Sequence, residues 1–326
     1  MHRLAFEVVP IQPGHVGAAT ALVAARYRRL RSVVPVLPAM WAAEPTLARI
    51  IGELVARGAG FAAVRHGVLI GFQAATLIDG HGGRWAYTPD VGHATGELDA
   101  RDAQRVVEAL YARLAAGWVR DACLEHVVTV FDDDADAMTA LARLGFGQSV
   151  IDLVRALSPV ADGQAARGVD VRRAGPDDAG ALVDLEQRLR AHLIASPIFL
   201  RMGPARSLEL QRRTLADPAV ATFLAEVDGD VVAFLRAGPS ATDVATIVRD
   251  PETASITGAF TLGDRRGQGV ATSLLDAAVR WAREAGYARL ATDHESTNGE
   301  AFRFWARHFT PVAVSLSRRL APRAGP

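Results

Sequence analysis

Between residues 265 and 275 the chain reads Arg265-Arg266-Gly267-Gln268-Gly269-Val270-Ala271-Thr272-Ser273-Leu274-Leu275. Glycines at 267 and 269 carry no Cβ, so the backbone can turn tightly and come close to a ligand. The leucine-rich run that follows reads as the start of a helix, whose first N–H groups have no partner within it. They point outward at the positive end of the helix dipole, so the stretch suits an anion. Arg265 or Arg266 adds a guanidinium fork that matches phosphate oxygens. Two nucleotide motifs compete here and neither is met. A P-loop ends in Gly-Lys-Ser/Thr, and the chain has no lysine. A Rossmann fingerprint needs a third glycine, which would fall at Thr272. The plain alternative is a glycine-rich turn with solvated arginines.

The neighbouring segments must position this loop. Residues 254–262, ASITGAFTL, alternate and predict a strand before it. Residues 272–286 place Leu274, Leu275, Ala278, Val279 and Ala282 at helical spacing and close on Gly286, a helix stop. A strand, ARLATDHES, follows at 288–296, then a short helix, GEAFRFWARH, and a closing strand, PVAVSLSRRL. The pattern is an α/β domain with a mixed sheet.

The same order occurs twice. Pro13 and Pro176, each opening a helix after a short strand, lie 163 positions apart. Two predicted hairpins turn at His66-Gly67 and at Asp228-Gly229-Asp230, with their glycines 162 apart. Phe146 and Phe309, near the two ends, are 163 apart. Three ordered landmarks at nearly one offset point to a tandem duplication. The sequence divides into a first copy at 1–157, a breaker-rich linker at 158–168 and a second copy at 169–326.

Composition bounds the partners. The chain has 326 residues, half of them apolar, with 36 basic and 36 acidic side chains and zero formal net charge. No global field favours nucleic acid or an anionic membrane. No apolar run spans a bilayer, and the N-terminus lacks the apolar core of a signal peptide. One cysteine, Cys123, fits a cytoplasmic, reducing setting and a small buried side chain. The basic run Arg26, Arg28, Arg29 and Arg31 reads as a solvated helix face. Asp132, Asp133, Asp134 and Asp136 lack the glycine turn of a calcium loop, so no metal is expected, and Asp134 suits a helix N-cap. Trp85 and Tyr87 on the preceding first-copy strand are core or pocket residues.

Arg266-Gly267-Gln268-Gly269-Val270-Ala271 resembles the Q/R-x-x-G-x-G/A motif of the GCN5-related N-acetyltransferase (GNAT) superfamily. Asn298 and Ala301, followed by an aromatic helix and Phe309, are similar to the family's N-x-x-A-x-x-F-Y stretch. The likeness covers the second copy. The matching first-copy stretch, residues 92–98, lacks the arginine-glycine pattern and looks like a degenerate loop. The resemblance implies two tandem acyl-coenzyme A N-acyltransferase folds and acetyl-coenzyme A as co-substrate. The backbone of Arg266, Gly267, Gln268, Gly269, Val270, Ala271 and Thr272 would cradle its pyrophosphate. Phe260, Thr261 and Leu262 would pair with the pantetheine amides, and Asn298 would contact the coenzyme arm or cap its own helix. The acceptor would be a small-molecule amine of unknown identity, and the oligomeric state is open.

Acetyl transfer needs a neutral amine, hence a base. Candidates lie in Asp293-His294-Glu295, where alternation sets Asp293 and Glu295 on one face and His294 on the other. Glu295 is the first choice, and a solvated strand end is the alternative. The tyrosine with which many family members protonate the departing thiolate is missing. Trp305 takes its place counting from Asn298, and Phe304 counting back from Phe309. An indole N–H donates a hydrogen bond but is no acid near neutral pH. The expectation is therefore an N-acetyltransferase, with a non-catalytic acyl-coenzyme A-binding or scaffold protein as the rival.

Overall fold

The computed structural model describes residues 6–57, 60–80, 83–160, 168–241 and 244–321. The fold is mixed α/β. The first half runs β1 (Glu7–Pro10), α1 (Val16–Val33), α2 (Glu44–Ala56), β2 (Gly60–Arg65), β3 (Val68–Ala74), β4 (Thr76–Gly80), β5 (Gly83–Thr88), β6 (His93–Thr95), α3 (Ala100–Arg120), β7 (Glu125–Phe131), α4 (Ala135–Arg143) and β8 (Gly147–Ala156). The second half runs β9 (Asp170–Arg173), α5 (Ala179–Ile194), α6 (Leu208–Ala216), β10 (Ala221–Val227), β11 (Asp230–Pro239), β12 (Thr253–Thr261), α7 (Val270–Glu284), β13 (Arg289–Glu295), α8 (Gly299–His308) and β14 (Thr310–Arg319). Both hairpins turn where the sequence puts them. His66 and Gly67 have φ of 52° and 78°, and Asp228 and Gly229 have 54° and 88°. Positive φ at both central residues matches the right-handed twist of the flanking strands.

These elements group into two compact units that are not contiguous in sequence. One holds Met1–Asp152, Ala245–Ile247 and Pro311–Pro326, and the other Leu153–Val244 and Val248–Thr310. Division at 157 and 169 follows chain order, whereas packing assigns β14 to the first unit. There residues 313–319 pair antiparallel with residues 131–125 of β7. Residues 245–247 join the same unit through two buried carboxylates. Asp90 accepts from the N–H groups of Thr246 and Ile247 at 3.1 and 2.8 Å, and Asp152 accepts from Ala245 at 2.8 Å. Residues 161–167 of the expected linker lie outside the described residues.

In the first unit, β1-β2-β3-β6 form one sheet, and β4, β5, β7 and β14 run side by side in another. Tyr111, Leu114 and Trp118 of α3 pack with Val128, Val130, Phe146 and Leu316. Cys123 is buried in that cluster, and burial pushes its thiol up, away from the thiolate. The stretch 92–98, expected as a loop, contains β6, because His93, Ala94 and Thr95 pair with Gln73, Phe72 and Gly71. Arg26 departs from the expected solvated face. It is buried and ion-paired with Asp134, which also caps α4 by accepting from the Ala137 N–H.

In the second unit the strand order is β13-β12-β11-β10-β9. Leu182 and Leu185 of α5 cover Leu224 and Phe234, with Phe260 packed against them. The apolar positions of α7 are buried as their spacing requires, and the helix stops at Gly286, φ 82°.

Candidate active site

Two departures from regular pairing create the site. Between β11 and β12 the register steps from Arg236↔Gly258 to Ala237↔Ile256, leaving Thr257 as an extra residue in a β-bulge. Between β12 and β13 the parallel register covers only Thr253↔Arg289, Ala254↔Leu290 and Ser255↔Ala291. Beyond that point the two strands part. The edges at 257–261 and 292–295 then run on without pairing to each other, so the backbone groups there that no other residue takes are available to a ligand.

At the end of β12 the chain enters the glycine loop. Gly267 and Gly269 have φ of 74° and 83°, a region open to glycine at little cost. Gly269 is the N-cap of α7, and no side chain caps this helix. The first intrahelical bond runs from the Ser273 N–H to the Gly269 carbonyl at 3.0 Å. Among the described residues, no protein group accepts from the N–H groups of residues 267–272. Six donors at the positive end of a 15-residue helix make an anion cradle. Val270 is buried and anchors the helix start, while Gln268 braces the loop by donating to the Asp264 carbonyl at 2.8 Å.

Arg266 does not extend a free fork into this cradle. Its Nε donates to the Thr261 carbonyl at 3.1 Å, its guanidinium lies 5.6 Å from the Phe260 ring centroid, and its Nη1 is ion-paired with Glu300. Arg266 thereby ties the end of β12 to the first turn of α8. Thr261 and Leu262 are half-buried at the loop entrance, and the Leu262 N–H donates to the Val232 carbonyl. Ala271 and Thr272 are half-buried in the first turn of α7.

Asn298 is the N-cap of α8, and its Oδ1 accepts from the Ala301 N–H at 3.1 Å. The Asn298 N–H donates to the Glu295 carbonyl, so β13 and α8 meet in a tight turn. Glu295 is half-buried at the end of β13 and Asp293 is exposed. His294 is buried on the opposite face against Phe302, with Nδ1–H donating to the Glu295 carbonyl and Nε2 left without a partner. Trp305 is 6% exposed, its ring edge-to-face with Phe304 and Phe309. Those contacts make it a packing residue of α8. Among the described residues no group of three or more metal-ligating side chains forms.

The sequence did not single out a polar cluster on the α5 side of this sheet, made by the buried Gln211, Thr222 and Arg236 and the half-buried Glu186. The available signal was a polar residue in apolar strand positions, Thr222 in ATFLAEV and Arg236 in VVAFLRAG.

Residues 189–309, which hold the bulge, the glycine loop and both parting strands, match the model of the acetyltransferase (GNAT) family. The second half of the chain carries a GNAT-family domain. The whole chain also shares its fold with solved GNAT structures. One is a GCN5-related N-acetyltransferase from Sphaerobacter thermophilus, 14% identical, covering 99% of this chain and 98% of that one, with a TM-score of 0.59. Another holds the GCN5-related glucosamine N-acetyltransferase region of a fungal multi-domain GH3 β-N-acetylglucosaminidase. It is 14% identical and covers 97% of this chain and 38% of that one, with a TM-score of 0.53. No curated protein matches the chain. Among the described residues no helix is long and apolar enough to cross a membrane.

Proposed function

We propose that the second-half GNAT domain is an N-acetyltransferase that moves an acetyl group from acetyl-coenzyme A directly to a small amine acceptor. The observation that carries this reading is the bare N-terminus of α7, with six free N–H groups beside two strands that have parted. That cradle fits a pyrophosphate, and the parted edge of β12 supplies the backbone groups that a pantetheine amide pairs with. The coenzyme supplies an activated acetyl thioester, whose carbonyl carbon takes the amine nitrogen as the C–S bond breaks.

This chain's residues would divide the work as follows. The N–H groups of 267–272 hold the phosphates, with the side chain of Gln268 bracing the loop. Phe260 and Thr261 align the arm along β12, and N–H groups past the bulge face the carbonyl oxygen. Glu295, at the mouth between the strands, takes the ammonium proton directly or through water. Trp305 stays in the core of α8, so the thiolate leaves to solvent without an acid from that helix. The first half of the chain is a degenerate copy that takes no coenzyme, and the protein works in the cytoplasm.

The missing tyrosine favours a second reading, a GNAT fold that binds acyl-coenzyme A without transferring it. Isothermal titration of acetyl-coenzyme A into the full chain tests binding. We expect one site per chain, and Gly269→Asp should abolish it, because φ of 83° strains any side chain and the carboxylate repels the phosphates. No binding at millimolar coenzyme would sink both readings. Binding without thiol release for any amine would leave the second.

A further inference from the structure

The α5 face of the second unit holds a polar cluster that the coenzyme site does not use. α6 buries only Gln211, while its Leu208 and Leu210 stand exposed. Gln211 Nε2 donates to Glu186 Oε1 at 3.4 Å, and Arg236 Nη2 donates to the same oxygen at 2.5 Å. Thr222 is the cross-strand partner of Arg236, and Gly258 is its partner on the other side. Thr222, Arg236 and Gly258 thus form a row that ends at the bulge, where β12 leaves β13. A Cβ at Gly258 would sit 3.3 Å from the Phe234 ring and 4.0 Å from Arg236 Nη1, so the guanidinium reaches the bulge.

Three buried polar atoms in this cluster have no partner: Gln211 Oε1, Thr222 Oγ1 and Arg236 Nε. Buried polar atoms are nearly always hydrogen-bonded, so three orphans in one cluster call for a partner from outside the chain, water or ligand. Their chemistry selects among acceptors. A polyamine offers donors only, so it would satisfy Gln211 and set a cation against Arg236. A carboxylate would satisfy Arg236 and face the oxygens of Gln211 and Glu186. A hydroxyl both donates and accepts, so neighbouring hydroxyls can meet an acceptor, a donor and a threonine together. The Glu186–Arg236 pair is neutral in itself, and Arg206 lies close enough to act on Arg236.

We propose that Gln211, Thr222 and Arg236 form the acceptor-recognition site, and that the acceptor is a polyhydroxylated amine of the amino-sugar class. This rests on the transferase reading above. The hydroxyls bind the row on β10 and β11, and the amino group points past Gly258 to the parted strands. Access is by outward movement of α6, whose one buried residue is Gln211 itself.

The test measures thiol release from saturating acetyl-coenzyme A by the full chain, with D-glucosamine, spermidine or L-glutamate as acceptor. D-glucosamine is expected to have the highest kcat/KM, by roughly tenfold or more, because a site built to bond hydroxyls rejects molecules without them. Thr222→Val and Gln211→Leu should each raise its KM by about tenfold, with coenzyme affinity by calorimetry unchanged. A preference for spermidine or L-glutamate, no turnover of any of the three, or indifference of KM to both substitutions would overturn the proposal. If a variant loses coenzyme binding, the ranking of the three acceptors decides alone. Failure of the unmodified chain to bind coenzyme would instead remove the transferase reading.

Discussion

The strands part in both units, but the side chains that cross the parting in the first have no counterpart in the second. In the first unit β6 pairs with β3 and β7 with β5, and the space between β6 and β7 is filled. The His93 ring crosses it, donating Nε2–H to the Thr129 carbonyl at 2.9 Å. Arg26 donates to the His93 carbonyl at 3.1 Å, pairs with Asp134 and lies 4.9 Å from the Phe131 ring centroid. A void of about 10 Å³ remains, room for about one water. The helix that follows differs too. α3 begins at Asp99, whose carboxylate accepts from the Asp102 N–H at 2.9 Å, so its N-terminus is already capped by an anion. The equivalent helix α7 begins at an uncapped glycine.

Sequence offsets place what stands in the second unit at each filled position. α1 and α5 start 163 residues apart, which puts Leu189 at the place of Arg26. Phe72 pairs with Ala94 and Phe234 with Phe260, so Ala259, paired with Leu235, stands where His93 is paired with Gln73. Asn298 caps α8 as Asp134 caps α4. A leucine, an alanine and an asparagine thus replace an arginine, a histidine and an aspartate. One position is filled by a charged and hydrogen-bonded plug, and the other carries no such plug.

Moving the plug should close the second slot. Ala259→His places an imidazole between β12 and β13, and we expect coenzyme affinity to fall by at least ~100-fold, about 3 kcal/mol, as a ring competes for filled space. Titration calorimetry measures it, and full affinity in this variant would show that the arm does not run past Ala259. The reciprocal His93→Ala should add no second coenzyme site, because Asp99 and the Arg26–Asp134 pair remain.

The plug itself should be felt in acid. Desolvation, reinforced by the Arg26 guanidinium, holds the His93 pKa down to about 4 from 6.5. The unfolded chain takes up a proton near 6.5 while the folded ring stays neutral to about 4. Between those values the unfolded state binds more protons, so stability falls as pH falls. The loss is about 3 kcal/mol in all, since one pKa unit is ~1.4 kcal/mol. Chemical denaturation from pH 7 to pH 4 should show this slope, and His93→Gln should flatten it. An unchanged slope would mean that the ring is not buried neutral.

Much of this was legible in the chain before any fold. The duplication, both hairpin turns and the helix α7 follow from spacing, and Gly267 and Gly269 have the positive φ that bare positions permit. Asn298 and Asp134 are N-caps, as their types suggest. What stayed hidden depends on partners far away in sequence. Arg26 reads as one of four arginines on a wet helix, and only the approach of His93 and Asp134 makes it buried. β14 reads as the last strand of its own half, yet it pairs with β7. Gln211 occupies the buried side of α6 and two leucines the exposed side, opposite to hydrophobic patterning, because Glu186 and Arg236 lie beneath.

The smallest effect sharpens the contrast between the two arginines. Arg26 and Asp134 are nearly inaccessible, whereas Arg266 and Glu300 have side chains 31% and 49% exposed. An exposed pair is worth about 0.2–1 kcal/mol. Glu300→Gln should therefore barely change the melting temperature. It also releases the Arg266 guanidinium, next to six free N–H groups, so coenzyme affinity should rise, by no more than about fivefold at low salt. Added salt should erase the gain, because the new contact is made at the solvent-exposed rim. A fall in affinity would mean that the loop needs the tie to α8 to hold its shape, and that Glu300 belongs to the cradle.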